Sequence, residues 1–336
     1  MFTNRVPVTL LTGFLGSGKT TLLSRLLADP RMQRTAVIIN EIGEIGLDHL
    51  LVGRPDDDTF LLKSGCVCCS MKTDLSETLK SLRRRAATGE LPAFERVVVE
   101  TTGLADPVPM LRHLLADESL NAAFRLQTVI STVDSVMPLD ATRDRPERHR
   151  QISVADKLIV TKTDLSGRFD AVSQTLADVN PGAQILDSQD LDAVMAALFD
   201  HERYAVVRHL PDVSWERPAK GFGRERQVRH DSVATLALRV EQPVSWPDVT
   251  SFLQQLARRH GEKLLRTKGI LNVKESHKPI VIHGVQHYLY PETFLDAAPG
   301  DDSASRIVFI YEGAIEAEIR DLFERIVVRS AASMPA

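Results

Sequence analysis

The sequence predicts an α/β fold in which helices cover both faces of a mostly parallel sheet, followed by a smaller C-terminal α+β domain. Apolar runs typical of buried parallel strands alternate with helical patterns up to about Leu198. From Val233 onward, short strands and two helices form a separate pattern. At 336 residues, the chain is long enough for two domains that each bury a core.

The predicted elements set the domain boundaries. We expect a first domain at residues 1–200, a charged and glycine-punctuated linker at 201–231, a second domain at 232–328 and a disordered tail at 329–336. The strands predicted in the first domain are Val6–Thr12, Ala36–Asn40, Arg96–Glu100, Val129–Val133 and Lys157–Val160. Those of the second domain are Val233–Val240, a run near Leu264–Val273, Pro279–Tyr290 and Arg306–Tyr311, with helices at Pro247–His260 and Ala314–Val327.

Composition excludes several classes of partner. A net charge of −4 and a pI near 6.2 give no electrostatic reason to expect nucleic acid. Neither a signal peptide nor an apolar run long enough to span a membrane is apparent. An odd count of three cysteines argues against a disulfide framework. We therefore expect a cytoplasmic protein that binds neither nucleic acid nor membranes.

A glycine-rich loop, Gly13–Thr20 (GFLGSGKT), joins the first strand to a helix predicted at Thr21–Ala28. This is the arrangement of a P-loop NTPase, whose backbone N–H groups surround phosphate oxygens at a helix N-terminus. Lys19 would meet the β- and γ-phosphates, and Thr20 would bind Mg²⁺. The residues expected to bind nucleotide here are Gly13, Gly16, Ser17, Gly18, Lys19, Thr20 and Thr21.

Acidic residues follow the second and third strands. Glu41 opens a loop after the second strand, where it could position Mg²⁺, a water or a second metal, or be a solvated loop charge. Glu100 ends the third strand and would reach Mg²⁺ through water, while the Gly103 amide would report the γ-phosphate. A salt-bridged structural role for Glu100 is the alternative. Catalysis is assigned to Lys19, Thr20, Glu100 and Glu41.

Residues 161–164 (TKTD) follow the fifth strand and indicate a guanine site. The Asp164 carboxylate could accept hydrogen bonds from guanine N1–H and the 2-amino group, which adenine cannot supply. Lys162 would cover the base with its alkyl stem. Thr161 replaces the more usual asparagine and cannot reproduce its two-sided hydrogen bonding. A surface Lys–Asp pair is the alternative to a GTP site.

All three cysteines, Cys66, Cys68 and Cys69, fall in one four-residue stretch. Thiolates select Zn²⁺, Cu(I) or iron–sulfur chemistry over Mg²⁺ or Ca²⁺. Three thiolates leave a tetrahedral ion one ligand short, so the site would borrow Glu41 or Glu44 or stay open to a ligand of another protein. Cysteines that only pack beneath a turn, or a redox pair of Cys66 and Cys69, are the alternatives.

Together, GFLGSGKTT, NEIGEIGLD, SGCVCC, ETTGLADP and QISVADKLIVTKTD resemble the CobW-like family of P-loop GTPases and metallochaperones. The resemblance implies GTP hydrolysis coupled to insertion of a metal, commonly zinc or cobalt, into a client protein. It makes Gly13–Thr20 the phosphate loop, Glu100 and Gly103 the second switch, and residues 161–164 the base-recognition loop. It makes the cysteines the metal motif. The histidine-rich tract of many relatives is missing, because the ten histidines here are dispersed.

The expected function is that of a Mg²⁺-dependent GTPase that binds Zn²⁺, with Co²⁺ possible, and transfers it to a metal-requiring client. The alternatives are a cobalt-insertion factor, a nucleotide-regulated switch with a structural zinc site, and another P-loop enzyme such as an ATP-dependent kinase. His283 and His287 lie four residues apart in a strand-like run and could share a face. They could bind metal or client, or be ordinary structural histidines.

Overall fold

The computed structural model describes residues 5–39, 60–63, 71–137, 145–199, 233–290, 292–295 and 303–328. The chain divides into two compact units. The first comprises Met1–Leu176 and Gln184–Arg203, and the second comprises Ala177–Ala183 and Tyr204–Ala336. The linker expected at 201–231 and the tail expected at 329–336 lie outside the described residues.

The first unit contains a seven-stranded sheet, and every strand pair described in it is parallel. Its strands are β1 (Val6–Gly13), β2 (Thr35–Ile39), β3 (Phe60–Lys63), β4 (Arg96–Glu100), β5 (Phe124–Asp134), β6 (Lys157–Thr161) and β7 (Gln184–Asp187). They lie in the order β3-β2-β4-β1-β5-β6-β7. This sheet confirms the predicted fold class.

Helices cover both faces of this sheet. They are α1 (Lys19–Leu27), α2 (Met71–Ala87), α3 (Pro107–Ala116), α4 (Glu118–Ala123), α5 (Pro146–Val154), α6 (Thr163–Ser166), α7 (Phe169–Val179) and α8 (Leu191–Phe199). On one face, leucines of α1 and apolar residues of α8 pack on alternate strand residues such as Leu11, Val98 and Ile130. On the other, α3 and α5 contact β5, and α5 also contacts β1. Burying each such aliphatic side chain contributes about 1.5–3 kcal/mol.

The structure corrects several predicted boundaries in the first unit. Helix α1 begins at Lys19 rather than Thr21, because Gly18 precedes it in the left-handed region (φ 83°) and its carbonyl accepts the Leu22 amide at 2.9 Å. Strand β5 begins at Phe124 rather than Val129. Buried and half-buried residues alternate over its first four positions, unlike the continuous apolar run that predicted the strand. Strands β3 and β7 were not predicted, since each spans only four residues.

Among its described residues from Val233 onward, the second unit contains an antiparallel sheet and two α-helices, as predicted for an α+β domain. Its strands are β8 (Val233–Val240), β9 (Leu264–Leu271), β10 (Ile280–Val285), β11 (Tyr288–Leu289), β12 (Thr293–Phe294) and β13 (Ser305–Glu312). They lie in the order β11-β10-β9-β13-β8, with β12 pairing to β10. The helices are α9 (Trp246–His260) and α10 (Glu316–Phe323), and α10 continues as a π-helix over Glu324–Val328.

The strand predicted over Pro279–Tyr290 is wrong, because this segment forms the hairpin of β10 and β11. Its turn contains Gln286 in the left-handed region (φ 54°). His283 is buried in β10, whereas His287 lies in the turn and packs against Gly261. The two histidines therefore do not share one strand face.

The core of the second unit lies between its sheet and its two helices. Phe252 of α9 is fully buried and meets Phe309 and Phe323 edge-on, with ring centroids 5.9 and 5.3 Å apart. Edge-to-face contacts of this kind contribute about 0.5–1.5 kcal/mol of stability beyond that of the buried area.

Across the parts of the chain that the structure describes, no helix combines the length and apolar character needed to cross a bilayer.

Candidate functional site

The loop between β1 and α1 lies at the carboxyl edge of the parallel sheet, where ligands bind in such folds. Gly13 has φ 141°, and a Cβ there would lie 2.3 Å from Thr132 Oγ1. No other residue fits at this position, because both the backbone conformation and the contact exclude a side chain. The loop then enters α1 at Gly18, and the N-terminus of a helix is a favourable place for an anion.

Lys19 and Thr20 occupy the first turn of α1. The Lys19 ammonium is largely buried and donates to the carbonyls of Gly13 (2.9 Å) and Phe14 (3.2 Å). Thr20 Oγ1 donates to Glu100 Oε1 at 2.6 Å, which joins the phosphate loop to the end of β4. A hydroxyl and a carboxylate in contact are hard oxygen donors, and their chemistry fits Mg²⁺. Thr21 is exposed on the next position of the helix.

Ser17 turns its side chain beneath the loop. It is only 2% exposed, and its Oγ lies 2.6 Å from Thr132 Oγ1. Its amide donates to Phe14 O at 3.1 Å, and its carbonyl accepts a 2.8 Å hydrogen bond from Thr161 Oγ1. Ser17 therefore stabilises the loop from its buried side, while Gly16 is exposed.

The segment after β4 packs directly against the phosphate loop. A Cβ on Gly103 would lie 2.7 Å from the Leu15 Cα and N atoms, so this contact is open only to glycine. The Thr101 amide donates to Leu11 O, and its hydroxyl donates to Thr12 Oγ1, both at 2.9 Å. The structure thus brings Glu100 and Gly103 to the phosphate loop.

The predicted base-recognition loop begins at the end of β6. Lys162 adopts the left-handed conformation (φ 58°), and its Nζ contacts Asp134 Oδ2 at 2.5 Å. Burial alone would raise the pKa of Asp134, but hydrogen bonds from Lys162 and from the amides of Val136 and Met137 lower it below its ordinary value. Asp164 is exposed and accepts a hydrogen bond from Gln189 Nε2 at 3.2 Å.

Thr161 contacts the phosphate loop. Its hydroxyl is buried and donates to Ser17 O, with Val133 O as a second, longer partner at 3.3 Å. A Cβ on Gly18 would also lie 3.6 Å from the Thr161 methyl group. The residue that replaces asparagine in the motif therefore ties the end of β6 to the phosphate loop.

Sequence reasoning missed three groups of residues around this site. Asp134 holds Lys162, and its position after an apolar strand was the available signal. The loop after β7 supplies Gln189 beside Asp164, but β7 itself was not predicted. Buried Gln151 of α5 donates to backbone carbonyls after β4, and no local pattern marks such a contact.

Several predicted site residues lie outside the described residues. These are Glu41, Glu44, Cys66, Cys68 and Cys69. Among the residues that the structure does describe, no group of three or more histidine, cysteine, aspartate or glutamate side chains could hold a metal ion. The metal motif therefore remains a prediction from the sequence.

Comparison with protein families matches both units. The model of the CobW/HypB/UreG nucleotide-binding domain matches residues 7–187. The model of the C-terminal domain of the cobalamin synthesis protein CobW matches residues 233–327. The first match covers the phosphate loop, β4 and the base-recognition loop, and the second covers the antiparallel sheet with its helices.

Individual relatives align along most of the chain. The zinc chaperone YjiA of Escherichia coli is 32% identical over 95% of this chain and 98% of its own length. The zinc chaperone CobW of Pseudomonas aeruginosa is 36% identical, over 84% of this chain and 80% of its own. The crystal structure of Zn(II)-bound YjiA GTPase superposes with a TM-score of 0.69 at 26% identity, covering 96% of this chain and 99% of that one. The chain belongs to the CobW family and carries both the nucleotide-binding and the C-terminal domain of that family.

Proposed function

We propose that this protein is a Mg²⁺-dependent GTPase that acts as a metallochaperone, binding Zn²⁺ and transferring it to a metal-requiring client. The observation that carries the proposal is the contact between Thr20 and Glu100 at the phosphate loop, in a chain whose relatives include zinc chaperones. A zinc-regulated GTPase metalloprotein activator of Schizosaccharomyces pombe, 35% identical over 54% of this chain and 46% of its own, adds support.

Hydrolysis would use the charges around the phosphate loop. Thr20 and Glu100 would hold Mg²⁺, which when bound neutralises charge on the β- and γ-phosphate oxygens. Lys19 needs only to exchange its two loop carbonyls for phosphate oxygens, because its ammonium already lies against the loop. Gly103 would present its amide to the γ-phosphate, and Glu41 would position Mg²⁺ or the attacking water.

Guanine selection would rest on Asp164 and Lys162. Asp164 is exposed, so its carboxylate is accessible to guanine N1–H and the 2-amino group once the weak contact with Gln189 is exchanged. Lys162 is held at its tip by Asp134, which leaves its alkyl stem to lie along the base. Thr161 would act on the phosphate loop rather than on the base.

The cargo would bind to Cys66, Cys68 and Cys69. Thiolate softness favours Zn²⁺ over the Mg²⁺ that serves hydrolysis, so one chain can bind both ions at separate sites. A three-thiolate site has room for a fourth ligand, which either this chain or the client would supply. Co²⁺ is the competing cargo, and the same titration carried out with Co²⁺ tests it.

The proposal is tested by titrating zinc against a chelator of known affinity, with GDP or a non-hydrolysable GTP analogue bound. The wild type is compared with a Cys66/Cys68/Cys69→Ser variant. We expect the variant to lose the tight zinc site while keeping nucleotide binding. A Lys19→Ala variant is the complementary control, since it should lose nucleotide and keep zinc. Undiminished tight zinc binding by the serine variant would contradict the proposed site.

A transfer assay separates a metallochaperone from a switch with structural zinc. Zinc-loaded protein is mixed with GTP and a chelator that removes little zinc from the protein while GTP is bound. Zinc release that follows the rate of GTP hydrolysis supports delivery. Zinc that stays bound through complete hydrolysis indicates a structural ion, and ATP hydrolysis equal to that of GTP indicates a different P-loop enzyme.

A further inference from the structure

Helix α5 contacts the segment after β4 through a buried amide. Gln151 is 1% exposed, and its Nε2 donates to Gly103 O at 3.2 Å and to Ala105 O at 2.9 Å. An amide nitrogen carries two hydrogens, so a single glutamine can satisfy both carbonyls at once. A buried donor with two backbone partners holds them more firmly than an exposed side chain could.

The carbonyls that Gln151 holds belong to a tight turn. The Ala105 amide donates to Thr102 O at 3.1 Å, which closes the turn around Gly103. The Thr102 carbonyl and the Gly103 N–H belong to the same peptide group, so closing the turn also sets the direction of that N–H. Gly103 in turn packs against the Leu15 backbone in the phosphate loop.

A second bond from α5 secures the far side of the same turn. Arg150 NH1 contacts Asp106 Oδ2 at 2.6 Å, and Asp106 Oδ1 accepts the Val108 amide at 2.9 Å as the N-cap of α3. Arg150 and Asp106 are partly exposed, at 35% and 24%, so solvent screens this ion pair. Helix α5 thus fixes the turn on both sides of Leu104.

We propose that Gln151 is a positioning residue for recognition of the γ-phosphate. It holds the turn Thr102–Ala105 so that the Gly103 amide stays beside the phosphate loop, where GTP but not GDP places a phosphate. The inference rests on the proposed GTPase function. It assigns to α5 a role in distinguishing the two nucleotides, exerted through the turn after β4.

The test compares Gln151→Met, which preserves side-chain length and removes both donors, with the wild type. Dissociation constants for Mg²⁺–GDP and a Mg²⁺-bound GTP analogue, and the single-turnover rate of GTP hydrolysis, are measured together with thermal unfolding. We expect the dissociation constant for GDP to change by less than about twofold. The dissociation constant for the GTP analogue should rise about tenfold and the hydrolysis rate should fall about tenfold, which is within what the loss of two ordinary hydrogen bonds can cause.

Gln127→Met is the matched control. Gln127 is a half-buried glutamine whose Nε2 donates to Leu198 O at 3.3 Å, away from the phosphate loop. This variant should leave both affinities unchanged. Arg150→Met, at a partly exposed position, should have a weaker effect of the same kind: the dissociation constant for the GTP analogue should rise about threefold while that for GDP stays unchanged. If Gln151→Met does not fold, this variant decides the question.

If Gln151→Met weakens the binding of GDP and of the GTP analogue equally, or changes neither affinity, the inference is overturned while the GTPase proposal stays intact. A matching loss in Gln127→Met also overturns it. A wild-type protein that binds neither guanine nucleotide contradicts the proposed function, and the role of Gln151 falls with it.

Discussion

Buried hydroxyl groups tie the phosphate loop to the ends of neighbouring strands. Ser17 meets Thr132 at 2.6 Å, Thr161 donates to the Ser17 carbonyl at 2.8 Å, and Thr101 donates to Thr12 at 2.9 Å. Hydroxyls suit these positions because each can be satisfied without burying a charge. Neutral hydrogen bonds therefore hold the loop to the strand ends, alongside the charged hydrogen bonds that Lys19 and Glu100 make with it.

Thr161→Val tests this role at a single residue. Valine keeps the shape of threonine but leaves the Ser17 carbonyl without its donor, a loss of about 1 kcal/mol. We expect GDP and GTP-analogue dissociation constants to rise together by about fivefold, with the preference for guanine over adenine unchanged. Affinities are measured by calorimetry with guanine and adenine nucleotides.

Thr128→Val is the control for this substitution. Thr128 is a buried β5 threonine whose hydroxyl makes no hydrogen bond to any residue that the structure describes. Its replacement should not change nucleotide affinity. A Thr161→Val protein that loses guanine selectivity while keeping its affinity for GDP would show that Thr161 reads the base after all.

Asp134→Asn tests the ion pair that holds Lys162. The amide keeps the shape of Asp134 but removes its charge, so the Lys162 side chain should no longer be held in one position. We expect the GDP dissociation constant to rise by about three- to tenfold. Asp178→Asn, at an acidic residue on α7, should leave it unchanged, and an unaltered affinity in Asp134→Asn would rule out this role for the pair.

The same variant carries a pH signature. The pKa of Asp134 is lowered in the folded protein from an ordinary value of 3.8, so the stabilisation is fully present above that pH. It is lost as the pH falls through the folded-state pKa. The difference in free energy of unfolding between wild type and Asp134→Asn should therefore be constant from pH 7 to about 5 and shrink in stronger acid.

At the scale of whole elements, α9 carries much of the core of the second unit. Phe252 is fully buried between Phe309 and Phe323, and Val249, Leu253 and Leu256 of the same helix share its apolar face. Ser245 begins the helix with a side-chain cap to the Asp248 amide at 3.4 Å, and Pro247 occupies its first turn. The helix is therefore specified both at its start and along its buried face.

Phe252→Ala should destabilise the second unit by about 3–5 kcal/mol, because it removes a fully buried ring and leaves a cavity. Denaturant unfolding monitored by the fluorescence of Trp246, which packs against this core, measures the loss. Phe294→Ala is the matched control, since that ring is 51% exposed and should cost less than about 1 kcal/mol. Equal effects of the two substitutions would mean that α9 does not anchor this core.

At the scale of the whole molecule, the proposed function joins two ligands on one chain. If GTP raises the affinity for zinc, then zinc must raise the affinity for GTP by the same factor. We expect a factor of about 5 to 150, the usual range for coupled sites, from zinc titrations in the GDP and GTP-analogue states and from the reciprocal nucleotide titrations. Equal zinc affinity in the two nucleotide states would contradict the coupling.

Patterns that are local in the chain predicted most of the fold and part of the site. The apolar runs of β1, β2, β4 and β6 matched the observed strands closely, because a buried parallel strand is apolar on both faces. The second domain was harder at its hairpin, where Gln286 and His287 form a turn without glycine or proline to mark it. Strands of four residues, such as β7, carry too few residues for a pattern.

By itself, the sequence determined the parallel sheet, the strand–loop–helix of the phosphate loop and the family, because each depends on residues close together in the chain. Only the tertiary structure decided which distant groups meet. Thr161 bonds to Ser17 across 144 positions, Gln151 reaches Gly103 across 48, and Asp134 holds Lys162 across 28. Such contacts depend on strand order and side-chain direction, and those are set only when the whole sheet has packed.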